Sequence, residues 1–172
     1  GSGGKLAYEL SEEELAELKK AAAEREKKQK EFGDMKAVFD QGMAAYEAQD
    51  YETAATAFEE ASTKDDTQTA IWAYLGNTYQ KLERYEDGIK AYQKAIELDP
   101  EDAGLHQNLG NLYAALNDTE KAKAEYEKAA QMSAAEDPSK AAATYYNMGV
   151  TYINTGDNEQ AAEALLKALE AD

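Results

Sequence analysis

One imidazole and a set of carboxylates, amides and phenols make up the chemical inventory of this chain. His106 is the only histidine, and there is no cysteine. Without a thiol, disulfides, thiolate metal sites and cysteine catalysis are excluded. A histidine base would need a hydroxyl nucleophile and a carboxylate in fixed geometry, and the sequence assembles no such set around His106. Two acidic clusters, Asp65-Asp66 and Asp99 with Glu101 and Asp102, are of a kind that attracts hard cations. Neither has the Asp-x-Asp-x-Asp-Gly spacing of a calcium loop, so both are expected to serve the turns that hold them. The inventory supplies no catalytic residue, no metal ligand and no cofactor.

What must be positioned, then, is a surface. Alanine, glutamate and lysine are abundant, β-branched residues are sparse, and only Pro100 and Pro138 interrupt the chain. That mix favours helix. Apolar residues make up 43% of 172, enough for a sizeable core. No apolar run is long enough to insert in a membrane. The net charge is −17, of which residues 1–32, with eight acids and seven bases, contribute only −1. Such acidity opposes binding to nucleic acid and suits a neutral to basic protein or peptide. A cysteine-free chain fits cytosol and periplasm alike. Gly1-Ser2-Gly3-Gly4 reads as a cloning remnant over residues 1–5, so a signal peptide could have preceded it.

Self-similarity dictates the fold. Gly42, Gly76 and Gly110 are spaced by 34 residues, and Gly149 follows after 39. Ala54, Gly88, Ala122 and Ala161 keep the same spacing, as do Phe58, Tyr92, Tyr126 and Leu165, and Ala61, Ala95, Ala129 and Ala168. Trp72, Leu75, Gly76 and Tyr79, followed by Gly88, Tyr92, Ala95 and Pro100, resemble the tetratricopeptide repeat signature, W-x2-L-G-x2-Y then A-x3-F, A and P. The resemblance covers residues 35–172. It implies an all-α, right-handed superhelical solenoid of four helix-turn-helix repeats, at 35–68, 69–102, 103–136 and 142–172, each an A helix followed by a B helix. The expected boundaries are 35–48, 52–65, 69–82, 86–98, 103–116, 120–134, 142–155 and 159–171. The five extra residues near Asp137-Pro138-Ser139 are expected to lengthen a connection between helices. His106 occupies the Trp72 column, which reads as a packing position. RNA-binding pentatricopeptide repeats share the period, but a charge of −16 over the array opposes them.

The resemblance also implies a site. In this family the A helices line a concave groove that takes extended peptides or helices. Its groove columns give Lys36, Phe39, Met43 and Tyr46 in the first repeat and Tyr74, Asn77 and Lys81 in the second. The third gives Gln107, Asn108 and Asn111, and the fourth Tyr146, Asn147 and Asn154. The family members that clamp chaperone tails use basic and amide side chains where this chain has Phe39, Met43, Gly104 and Asn108, so that ligand is not expected. Asn77, Asn108, Asn111 and Asn147 each offer a donor and an acceptor to a peptide backbone. Asparagine is also near the family consensus there, so a scaffold role stands beside the binding role.

Two ends remain. Residues 6–34 read as a charged N-terminal helix: Ser11 and Glu14 form a capping box, and Leu10, Leu15, Leu18 and Ala22 make a narrow stripe that leads into a fully polar stretch ending near Glu31. A charged helix leading into acidic repeats also resembles the C-terminal part of bacterial envelope proteins with a carboxypeptidase-regulatory-like domain. The last B helix carries Leu165, Leu166 and Leu169, expected to leave an apolar strip for weak self-association. The functional expectation is a non-catalytic protein-interaction scaffold. The alternatives are a self-assembly module stacking through its ends and the regulatory part of a larger envelope protein.

Overall fold

Among the described residues, apolar periodicity at 3.6 residues produces helices and no strand. The computed structural model describes residues 10–171, with every side chain among them except that of Pro138. The expected remnant, residues 6–9 and Asp172 lie outside the described residues. Eight helices follow in order: α1 Glu12–Glu47, α2 Tyr51–Lys64, α3 Thr69–Lys81, α4 Tyr85–Leu98, α5 Ala103–Ala115, α6 Thr119–Glu136, α7 Pro138–Thr155 and α8 Asn158–Ala171. Each packs on the next, and α5 also touches α7 and α3, which makes a solenoid with α1, α3, α5 and α7 as A helices.

One contact recurs in every repeat. A Cβ added to Gly42 would lie 2.6 Å from the Phe58 ring, at Gly76 2.8 Å from Tyr92, at Gly110 2.9 Å from Tyr126, and at Gly149 2.7 Å from Leu165. The A helix is glycine where the B helix drives its largest core side chain against it. Phe58, Tyr92 and Tyr126 are fully buried as a result. The next A helix then closes over the pair: Leu105, Leu109 and Leu112 join Tyr92 and Ala95 in one cluster, and Met148 joins Tyr126 in another.

The A-to-B turns are equally periodic. The backbone N–H of Asp50, Arg84, Asp118 and Asp157 donates to the carbonyl of Ala45, Tyr79, Tyr113 and Tyr152, six residues to one, as in a Schellman turn. That closure needs a left-handed residue just before it. Gln49, Glu83 and Asn117 occupy it with φ of 62°, 58° and 58°, and Gly156 with 83°.

Two boundaries differ from the sequence reading. The N-terminal segment and the first A helix are one 36-residue helix, α1, about 54 Å long. Phe32-Gly33-Asp34 contains no proline and no cap, and one glycine weakens a helix by only about 1 kcal/mol. The capping box at its start is formed: Ser11 N–H donates to Glu14 Oε2 at 2.8 Å and Glu14 N–H to Ser11 Oγ at 3.2 Å. The five-residue insertion does not lengthen a connection. It adds about one turn to the end of α6 and one to the start of α7, and Asp137 alone separates them. Asp137 ends α6 through its N–H to Ser133 and caps α7 by accepting from Ser139 N–H at 3.0 Å. Proline at the first helical position fits there, since that N–H has no helical partner. Ser133, in the turn added to α6, faces Thr144 of α7, both buried, with their hydroxyls 3.4 Å apart.

Left-handed backbone costs an L-residue about 1–2 kcal/mol, while glycine adopts it freely. Gln49→Gly and Glu83→Gly are therefore expected to stabilise the fold by about 0.5–1 kcal/mol each, read as a rise in the urea midpoint. Gly76→Ala is expected to destabilise by about 1–3 kcal/mol, because the buried Tyr92 ring has nowhere to move.

Candidate functional site

His106, Asp65 and Asp102 are engaged within the fold. His106 is buried at 5% exposure, with Nδ1 2.6 Å from Glu125 Oε2 and Nε2 3.3 Å from the Pro100 carbonyl. No hydroxyl nucleophile is among these partners. It fills a packing column and ties α5 to α6. One acid of each cluster serves its turn. Asp65 accepts from the Thr67 backbone N–H and hydroxyl and from Gln68, which holds its carboxyl below the usual range. Asp102 caps α5 through Gly104 and Leu105. Among the described residues no group of three His, Cys, Asp or Glu is placed to hold a metal ion, and no helix is long and apolar enough to cross a membrane.

The implied groove residues divide into three places. At the N-terminal end, Phe39 packs against Phe58 (ring centroids 5.4 Å apart) and Tyr74 (5.6 Å), and Tyr74 lies 6.1 Å from Tyr46. Met43 packs against the same cluster. Burial and the neighbouring Tyr51 and Tyr74 hydroxyls push the Tyr46 phenol up. Beside the cluster Lys36, ion-paired to Asp40 at 2.6 Å, and Phe39 line a small apolar cavity with Phe32, Met35, Gln68 and Ile71. In the middle, Tyr46, Asn77 and Lys81 line a cavity of 530 Å³ with Gln80, Glu83, Tyr85 and Ala115. Side chains from three repeats meet there. Gln107, Asn108 and Asn111 are half-buried further along, and Asn147 and Asn154 are exposed. Tyr146 stands apart, lining an apolar cavity with Leu165 and Leu169 at the C-terminal end.

Two of the four amides have a job inside the fold. The Tyr92 hydroxyl donates to Asn77 Oδ1 and the Tyr126 hydroxyl to Asn111 Oδ1, both at 2.6 Å. Thr151 also donates to Asn111 Oδ1 at 3.4 Å. Burial pushes the Tyr126 phenol up to about 12, and that of Tyr92 also rises, against a partial lowering by a hydrogen bond from Asn108. The tyrosine rings complete the core, their hydroxyls reach through it, and an amide on the groove side receives each one. The oxygen of Asn111 is thus filled by two donors, and that of Asn77 has accepted one and keeps a second lone pair. The expectation that each amide offers both a donor and an acceptor is corrected for Asn111. A signal was present in the sequence. Reading down the repeats, the pairs Phe58 with Met43, Tyr92 with Asn77, Tyr126 with Asn111, and Leu165 with Val150 match in polarity row by row.

Sequence reasoning missed Phe32, Glu83 and Tyr85 as groove neighbours, because they fall outside the A-helix columns. It also missed where the charge lies. Helices α3, α5 and α7 contain no aspartate or glutamate at all. The acids sit on α1, on the B helices and in the connections, so most of the A-helix surface is neutral within an acidic shell.

Tetratricopeptide repeat family models match residues 36–65, 69–102 and 101–172. Comparison with curated proteins finds no match. Among solved structures, residues 41 to the end of MamA from Desulfovibrio magneticus RS-1 superpose with a TM-score of 0.67 at 21% identity, over 80% of this chain and 75% of that one. YrrB, described as a TPR protein with an unusual peptide-binding site, gives 0.66 at 25% identity over 80% and 69%. The second TPR of Spaghetti, bound to the HSP90 peptide SRMEEVD, gives 0.58 at 21% identity over 62% and 98%.

Removing Asn77 strands the buried Tyr92 hydroxyl. Asn77→Ala is expected to destabilise by about 1–3 kcal/mol. The double variant Asn77→Met with Tyr92→Phe, which copies the first repeat, is expected to unfold within about 1 kcal/mol of the parent, because both polar partners leave together. Urea denaturation of the three proteins checks this.

Proposed function

The chain belongs to the tetratricopeptide repeat family, and on that premise we propose that its concave surface is a non-catalytic docking groove for an uncharged, extended segment of another protein. The carrying observation is the absence of any acid from α3, α5 and α7 in a chain of net charge −17. A groove built to hold a basic peptide would place carboxylates on its floor. A groove built for an acidic tail would place lysines there, and α5 has none.

The floor supplies amide donors instead. The NH2 groups of Asn77 and Asn111 are fixed by their own acceptor bonds to tyrosine, so they are aimed before a ligand arrives. Backbone carbonyls of an extended peptide are the matching acceptors. The aromatic cluster of Phe39, Tyr46 and Tyr74 offers flat apolar area for side chains at the N-terminal end. A peptide-binding site in YrrB and a bound peptide in the Spaghetti domain support the use of such a fold for docking. The SRMEEVD peptide carries acids, and the residues at Phe39, Met43 and Gly104 offer it no cation.

A random peptide library selected against the immobilised protein tests the reading. Selected peptides are expected to lack net charge and to bind with less than about a twofold change between low and high salt, because screening acts on paired charges. Asn108→Ala with Asn147→Ala is expected to weaken them roughly thirtyfold, at about 1 kcal/mol for each lost bond. Enrichment of strongly basic peptides with steep salt dependence would refute the neutral groove.

A further inference from the structure

A cation and an anion share one cavity inside the array without pairing. Lys81 and Glu83 line the 530 Å³ cavity where three repeats meet, together with the amides Asn77 and Gln80 and the half-buried rings of Tyr46 and Tyr85. The walls come from α1, α3, α5 and the start of α4, so the cavity is formed within the array and not at an end of it.

The state of these two charges is unusual for the A helices. Helix α5 has no lysine or arginine, and Lys140 of α7 is tied to Glu136 at 2.7 Å. Lys36 of α1 is tied to Asp40 at 2.6 Å. Among the described residues, neither the Lys81 ammonium nor the Glu83 carboxylate has a hydrogen-bond or ion-pair partner. The local backbone keeps them from each other. Lys81 is the last residue of α3, and Glu83 stands beyond it in the left-handed position of the turn, with φ of 58°. The Arg84 N–H to the Tyr79 carbonyl, at 2.8 Å, closes that turn behind it.

The cavity therefore offers a donor that cannot accept and an acceptor that cannot donate. A carboxylate placed there would meet Lys81 and be opposed by Glu83. An ammonium or guanidinium would meet Glu83 and be opposed by Lys81. An apolar side chain would strip water from both charges and replace it with nothing. A carboxamide answers both, with its oxygen accepting from Lys81 and its NH2 donating to Glu83. A backbone amide has the same two groups, but the trans peptide points them to opposite sides. Only at the tip of an asparagine or glutamine side chain do they stand together.

Resting on the docking groove proposed above, we propose that this cavity reads one asparagine or glutamine side chain of the bound segment. Lys81 and Glu83 are its specificity-determining pair. Asn77, with its NH2 and its second lone pair, and Gln80 supply further amide contacts at the same place.

A random library of acetylated, amidated nonapeptides selected against the intact protein tests this. Asparagine or glutamine is expected to recur at one position of the selected peptides. Replacing that residue by methionine, glutamate or lysine is expected to weaken binding at least about tenfold, as for a lost hydrogen bond to a charged group. The preference is expected to follow the charge left in the cavity. With Glu83→Gln it moves to aspartate or glutamate, and with Lys81→Gln to lysine or arginine. Both side chains are exposed, so helical circular dichroism is expected to stay unchanged. Lys90→Gln, the same loss of charge on α4 outside this cavity, is expected to leave the preference unaltered. Selected peptides that depend on Asn108 and Asn147 but show no recurrent carboxamide, or a preference that neither Glu83→Gln nor Lys81→Gln moves, would overturn this proposal and leave the groove standing. Peptides indifferent to Asn108→Ala with Asn147→Ala would remove the groove reading itself, and this one with it.

Discussion

The close approach of a glycine to a large side chain of the next helix is the constraint on which every repeat depends. With no side chain at Gly42, Gly76, Gly110 and Gly149, the A helix lets the B helix bring Phe58, Tyr92, Tyr126 or Leu165 flat against its backbone. That contact sets how near the two helices lie. Distance and angle within the pair fix the shape of the groove left for the next helix, so the curvature of the whole array follows from one small residue repeated four times. The remaining columns are fitted to it. Ala61, Ala95 and Ala129 are fully buried because there is no space for more.

The same rings connect the core to the concave surface. A tyrosine in a dry interior needs a partner for its hydroxyl, and the nearest surface within reach is the groove floor. Asn77 and Asn111 meet that need and, by meeting it, are held still with one defined face outward. Core packing and the orientation of surface amides are thus one network in the middle repeats. In the first and last repeats, where Phe58 and Leu165 have no hydroxyl, Met43 and Val150 stand in that column instead. The amides that receive a tyrosine hydroxyl are confined to the centre because the tyrosines are.

The helix pairs were legible because a period of 34 with a matching break of 39 appears in several columns at once, and each column is a packing contact. Boundaries failed where no contact enforces them. Nothing in Phe32-Gly33-Asp34 stops a helix, so α1 runs through, and no sequence column could reveal it because the segment lies outside the repeat. The insertion was visible as a count but not as a conformation. Ser133 and Thr144, alanine-rich flanks and a proline at a tolerated position turned it into helix. The roles of the asparagines were ambiguous for a chemical reason. An amide that satisfies a tyrosine and an amide that awaits a ligand are the same residue, and only the position of the hydroxyl separates them.

The unbroken path of α1 has a mechanical consequence. Residues 16–34 are exposed on all sides, yet they continue without a joint into Met35 and Gly42, which are locked in the first repeat. A flexible tether forgets its own length. This one keeps phase: removing a single residue between Ala16 and Asp34 would draw Ser11 in by about 1.5 Å and swing it about 100° around the axis. Orientation at the tip is set by residue count, as in a keyed shaft, and insertions of whole heptads would be the changes it best absorbs.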